Sequence, residues 1–169
     1  KIKTEVNKMP SFDIVSRTDL MEVDNAISGA KREIRQRYDL AGSKCDINRK
    51  DNSLTIIADD HMKLEQVDAL LRKYLTSRKV EIGAFVFGNP QEASGQTLRQ
   101  IVDIKQGIDD QLAREITKSV KATKIRVKIS TKGSELKVSG KKRDDLQEII
   151  TFIKSMDNQQ PLQYVNFRD

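Results

Sequence analysis

Three consecutive cations, Lys141, Lys142 and Arg143, lie in the stretch Ser139–Gln147, S-G-K-K-R-D-D-L-Q. Leu136 and Val138 alternate as the end of a strand, Gly140 supplies a hinge without steric cost, and Asp144 and Asp145 open a helix where the macrodipole favours negative charge. Cations crowded at a strand-to-helix corner either decorate a solvated loop or hold an anion such as phosphate. Lys105-Gln106-Gly107 repeats the logic at lower charge: strand, cation, glycine, then a helix starting at Ile108, whose free backbone N–H groups suit phosphate. Between Lys118 and Arg143 there are ten Lys and Arg against a single acid, Glu135. Alternation places Arg126, Lys128, Ser130, Glu135, Lys137 and Ser139 on the outward side of a hairpin. A cationic strand face suits phosphates, and a guanidinium can hold one bidentately. The same face also serves simply to keep a sheet edge soluble.

Catalytic chemistry is poorly represented. His61, the only histidine, sits at a helix start beside Asp59 and Asp60. Cys45, the only cysteine, falls on the core side of its strand and reads as an inert buried thiol. The carboxylate pairs Asp59/Asp60, Asp109/Asp110 and Asp144/Asp145 each begin a helix, where capping accounts for them. There is no G-x-G-x-x-G, P-loop or H-E-x-x-H pattern. The expectation is a binding protein with no enzymatic activity, metal or cofactor.

The elements that position these residues follow from composition and periodicity. The chain of 169 residues carries a net charge of +6, with 37% hydrophobic and 33% charged residues. The excess is uneven: Pro10–Gln96 holds 13 Lys and Arg against 14 Asp and Glu, whereas Thr97–Asp169 holds 15 against 10. The second half is therefore the electrostatic candidate for a phosphate-bearing partner. No apolar run approaches the roughly 20 residues of a membrane span, and without an export signal the expected location is the cytoplasm.

Residues 1–8 read as a disordered lead before Met9-Pro10-Ser11. Residues 9–88 then give a strand at Phe12–Ser16, a helix from Asp19 to about Arg37, a hairpin around Lys50-Asp51-Asn52, a second helix opened by Asp59 and Asp60, and a strand at Val80–Phe87. Residues 89–96 form a turn-rich linker. Residues 97–169 repeat the order, with strands at Leu98–Lys105 and Leu162–Phe167. A shift of 82 superposes Cys45, Ile47, Leu54, Ile56, Leu64, Val67, Leu70 and Leu71 on Val127, Ile129, Leu136, Val138, Leu146, Ile149, Phe152 and Ile153, apolar on apolar throughout. The expected fold class is α+β, a tandem duplication of two ferredoxin-like βαββαβ domains. Helices on one face of each sheet would leave the other face bare. Phe85 and Phe87 on one side of their strand, with Val80, Ile82, Ala84 and Val86 on the other, suggest a strand covered twice. The strands S-L-T-I-I-A and E-L-K-V-S-G carry no aromatic, which argues against base stacking of the RNA-recognition-module kind. RNA or tRNA binding through the basic sheet face stands as the alternative to a small nucleotide.

The motifs S-F-D-I-V-S at 11–16, R-Y-D-L at 37–40, K-Q-G-I at 105–108, S-G-K-K-R-D-D-L-Q at 139–147 and the terminal N-F-R-D together resemble the YajQ family of bacterial proteins. The chain departs from the family's R-F-D-F-R-G, with Leu40 and Ala41 replacing an aromatic and a cation. The resemblance implies that the first strands are exchanged, Phe12–Ser16 serving the second domain's sheet and Leu98–Lys105 the first. It further implies nucleotide binding and, as for some members, an effector role for cyclic di-GMP, with GTP and ATP as the other candidate nucleotides. The absence of catalytic groups leaves a protein partner in transcription regulation as a further expectation. Carried over by motif, the site residues are Lys105 and Gly107, Lys141, Lys142 and Arg143, and Arg168; Arg126 and Lys128 join them from the basic hairpin face.

Overall fold

The computed structural model describes residues 9–157 and 160–169; the lead expected at residues 1–8 lies outside them. Four α-helices and two antiparallel sheets among the described residues form a mixed α+β architecture, consistent with a two-domain ferredoxin-like arrangement. The chain divides into two compact units, Thr18–Gln106 and a second made of the segment up to Arg17 together with Gly107–Asp169.

In order along the chain, the second unit starts with β1 (Ser11–Val15), and the first unit then holds α1 (Leu20–Gln36), β2 (Asp46–Lys50), β3 (Ser53–Ala58), α2 (His61–Ser77), β4 (Phe85–Phe87), β5 (Gln91–Ala93) and β6 (Thr97–Ile104). Val23, Ala26, Ile27, Ala30 and Ile34 give α1 its buried face, at the spacing an amphipathic helix requires. The Asp19 side chain caps it, accepting from the N–H groups of Met21 and Glu22. Glu22 does not complete a capping box; its carboxylate accepts from Asn25 instead. Asp60 caps α2 by accepting from the Lys63 N–H at 2.8 Å. Asp59 is used differently, accepting from the Lys44 N–H at 2.8 Å. The sheet runs β2-β3-β6-β4, with β5 also on β6. Leu54, Ile56 and Val102 from the sheet meet Val67, Leu71 and Leu75 from α2 in one core, all fully buried.

Three sequence expectations change here. Only Phe85–Phe87 of the Val80–Phe87 segment is strand, because Ile82–Ala84 closes into a short 3-10 turn. This strand is not covered on both sides: Phe85 is buried, whereas Val86 is 48% exposed. Phe87 packs at the core margin under the Arg72 guanidinium, 3.8 Å from the ring centroid. Within the stretch read as a linker, Gln91–Ala93 pairs with Thr97–Arg99.

The second unit continues with α3 (Asp110–Ala122), β7 (Val127–Lys132), β8 (Glu135–Gly140), α4 (Arg143–Ser155) and β9 (Gln163–Arg168). Its sheet order is β7-β8-β1-β9, with β1 antiparallel to both neighbours. Phe12 is fully buried among Ile116, Leu136, Val138, Ile149 and Ile153. The Tyr164 and Phe167 rings lie 6.0 and 5.7 Å from the Phe12 ring. The expectation of a bare outer sheet face fails at β1, where all five residues are buried. Its outward carboxylate, Asp13, is 4% exposed and engaged by Arg168 and Asn166. On β7 and β8 the outer face is open, with Arg126, Lys128, Ser130 and Lys137 exposed.

Candidate functional site

β8 ends at Gly140, whose N–H donates to the Pro10 carbonyl at 3.1 Å. The glycine is required for close approach and not for an unusual turn, since its φ is not positive. A Cβ there would sit 3.2 Å from the Arg126 carbonyl oxygen, 3.3 Å from Val127 Cγ1 and 3.4 Å from Leu146 Cδ2. This approach brings the start of β7 against the end of β8, so the cations of both ends face one space.

That space is an open concavity of about 750 Å³. Lys124, Arg126 and Lys128 line it from the β7 side, Lys141 and Lys142 from the corner, and Asp145 and Glu148 from α4. Five cations thus face two carboxylates. None of the five is in an ion pair among the described residues, and all five are exposed. Ser139 and the Gly140 backbone complete the floor. Such a surface can hold the oxygens of a phosphate by charge-assisted hydrogen bonds.

The helix above it departs from the sequence reading. α4 begins at Arg143, so Lys142 occupies the N-cap position with no side-chain cap bond. Asp144 and Asp145 fall inside the first turn, where they complement the helix dipole without capping it. The other three helices are all capped by Asp, at Asp19, Asp60 and Asp109.

The remaining expected residues are placed as follows. Arg143 turns away from the lining set and pairs with Asp169 at 2.5 Å, both side chains being largely exposed. Arg168 binds Asp13 through Nη2–Oδ2 at 3.0 Å and Nη1–Oδ1 at 3.3 Å, with Ser11 Oγ at 3.4 Å. Burial alone would push the Asp13 carboxyl up. Hydrogen bonds from Arg168 and Asn166, with the charges of Arg168 and Lys132, outweigh burial and hold it below the ordinary carboxylate range. Gly107 has φ +81°, a conformation that favours glycine. Its N–H donates to the Ser16 carbonyl at 2.7 Å, and its carbonyl accepts from Gln160 Nε2 at 2.6 Å. The following helix starts at Asp110 and not at Ile108, and Asp109 caps it by accepting from the Leu112 N–H at 2.8 Å. The free N–H groups expected after K-Q-G-I are thus partly taken by a carboxylate. Lys105 belongs to the Thr18–Gln106 unit, where its side chain is exposed and its N–H donates to the Ala84 carbonyl at 2.7 Å.

Lys124 joins the site from structure alone, because φ +60° at this residue turns the α3–β7 connection towards the corner. Its place in the run of ten cations was the only available signal. Cys45 is half-buried with Sγ 3.7 Å from Asp59 Oδ1, and burial pushes its thiol pKa up. Leu40, at the position where the family pattern has an aromatic, is a core residue 1% exposed. Among the described residues no group of three His, Cys, Asp or Glu side chains is placed to hold a metal ion, and no helix is long and apolar enough to cross a membrane.

Residues 10–168 match the family model described as nucleotide-binding protein YajQ-like. A protein of Parvibaculum lavamentivorans named as a nucleotide-binding protein is 52% identical over 161 residues, covering 95% of this chain and all of that one. Similarly named proteins of Paramagnetospirillum magneticum and Rhodospirillum centenum are 50% and 51% identical, with the same coverage of both chains. The match runs through both compact units and includes the K-K-R corner, and on it the chain belongs to the YajQ-like family.

Proposed function

We propose that this protein binds a nucleotide through its phosphates in the concavity formed by Lys124, Arg126, Lys128, Lys141 and Lys142, and that it acts by binding and not by turnover. The observation that carries this reading is five cations, free of ion pairs among the described residues, around one recess. Its volume falls within the roughly 300–1,000 Å³ of ordinary small-ligand sites. The names of the related proteins point the same way. We take cyclic di-GMP as the ligand because two phosphates on one rigid ring match cations arriving from two sides, the β7 start and the β8 end. Signal output then passes to a protein partner in the cytoplasm. The same reading treats the two units as copies of one βαββαβ plan with exchanged first strands; the 82-residue shift and the pairing of β1 with β8 and β9 support it.

Calorimetry with cyclic di-GMP, GTP and ATP on the wild type and on Lys141→Ala/Lys142→Ala tests the proposal. Each lysine contributes about 1–1.5 kcal/mol, so the double variant should lose about 30- to 150-fold in affinity. Equal binding by the double variant, or no binding of any of the three by the wild type, overturns it.

A second reading rests on the exposed outer face of β7 and β8, where Arg126, Lys128 and Lys137 extend the positive surface past the recess. There the protein binds single-stranded RNA by its backbone. The measurement is affinity for an unstructured RNA against salt, expected to fall with slope about −0.7 per phosphate neutralised. A flat profile removes this reading.

A further inference from the structure

A second basic feature lies on another side of β7. Among the described residues this strand ends its sheet, so alternate N–H and C=O groups along Val127–Lys132 have no described strand on their outer side. Beside it runs a groove of about 670 Å³ between β7 and α3. Ile129 and Thr131 form its strand wall, Ala113 lies in its floor, and Arg114, Lys118 and Lys121 line its helix wall. The three cations are exposed and in no ion pair among the described residues. Asp110 marks the end nearest the α3 N-terminus.

We propose that the β7 edge and this groove form a docking site for an acidic segment of a partner protein, which adds in extended form as a fifth strand beside β7. The backbone of the added strand takes up the unpaired edge groups. Its side chains alternate between two faces, and both faces meet positive charge. Those on the helix side meet Arg114, Lys118 and Lys121. Those on the outer side lie next to Lys128 and Lys132, which alternate with Ile129 and Thr131 along β7. Spacing also fits: Arg114 and Lys118 are about 6 Å apart along the helix axis, close to the about 6.7 Å between alternate residues of a strand. The groove walls contain no aromatic on which a base could stack, and an edge backbone pairs with a peptide and not with a phosphate, so RNA fits less well. A second copy of this chain fits less well too, because antiparallel pairing of two β7 edges would set Lys128 and Lys132 against their own kind.

The test uses the full chain and a phage-displayed library of random dodecapeptides, followed by fluorescence anisotropy with the enriched peptides. The expected result is enrichment of Asp- and Glu-rich sequences whose affinity falls at least tenfold in Arg114→Glu/Lys118→Glu/Lys121→Glu. N-methylation of alternate backbone amides in the peptide should produce a comparable loss, and bound peptide should slow amide exchange along Val127–Lys132 in the wild type. Nucleotide binding at the Lys141/Lys142 recess should survive the charge reversal, and thermal melting verifies that the variant is folded. Should the triple variant melt early, Lys118→Gln with the wild-type exchange experiment replaces it. Enrichment of non-acidic peptides, indifference to charge reversal or N-methylation, exchange slowed elsewhere, or a groove that binds only an RNA oligonucleotide would each overturn the proposal.

Discussion

Replacing Arg168 by Ala separates a structural role for this residue from a role at the ligand. Asp13 is 4% exposed, whereas the Arg168 side chain is 45% exposed. At their 3.0 Å separation a Coulomb pair is worth about 5 kcal/mol at an effective dielectric near 20 and about 1.4 kcal/mol in bulk water. With the carboxylate covered and the guanidinium half open, the effective value lies between these, about 3 kcal/mol, reduced from the fully buried case by solvent screening. The pH dependence carries a sharper signature. In the wild type the Asp13 pKa is lowered, so its contribution is present above the unfolded value of 3.8 and is lost as pH falls through the folded pKa. Without Arg168, burial, the largest single influence, acts against Asn166 and Lys132 alone. The folded pKa then rises from its wild-type position, so the stabilisation present above pH 3.8 shrinks in the variant and its pH profile flattens. Urea denaturation of Arg168→Ala, Asp13→Asn and the double variant between pH 3 and 8 reads both effects. A variant within 0.5 kcal/mol of wild type, with a parallel pH profile and a lower nucleotide affinity, would refute the reasoning and make Arg168 a ligand contact.

Three further perturbations extend the account. Burial pushes the Asp68 carboxyl up to about 6, with the Arg72 charge pulling it back, and among the described residues its Oδ1 has no hydrogen-bond partner. The protonated form favours the fold, so stability falls as pH rises from 3.8 through about 6. The full shift corresponds to about 3 kcal/mol, which partial exposure reduces to about 1–2; Asp68→Asn should recover that amount at pH 8 and flatten the dependence in chemical denaturation. Lys142 caps α4 without a cap bond, so Lys142→Ser should raise stability by about 0.5–1 kcal/mol in thermal melts while weakening nucleotide binding in calorimetry. Phe12→Ala should cost about 3–5 kcal/mol. Because Phe12 pairs with Val138, amide-exchange protection should fall in β8 and β9 more than in β2 and β3.

Much of the architecture was legible because periodicity reports burial. Val23, Ala26, Ile27 and Ile34 on α1 and Leu136 and Val138 on β8 were readable from spacing alone. Boundaries set by hydrogen bonds were less so: Asp109 and Asp60 cap, whereas Asp144 and Asp145 do not, although all three pairs look alike in sequence. Ile82–Ala84 alternates like a strand but turns. Pairing across the chain leaves no trace in local pattern, which is why composition could not give Asp13 a partner 155 residues away. The candidate site shows the same division. A run of cations announced Lys141, Lys142, Arg126 and Lys128, but their convergence depends on a backbone contact at Gly140. The run could not distinguish these from Arg143, which turns to Asp169, and gave Lys124 no more weight than its neighbours.

The most direct test of the central proposal is a nitrogen-15 amide spectrum of the labelled protein titrated with cyclic di-GMP. The account predicts saturable shifts centred on Lys124–Lys128 and Ser139–Lys142, absent in Lys141→Ala/Lys142→Ala. Saturable shifts confined to Thr18–Gln106, or none at millimolar ligand, would contradict it.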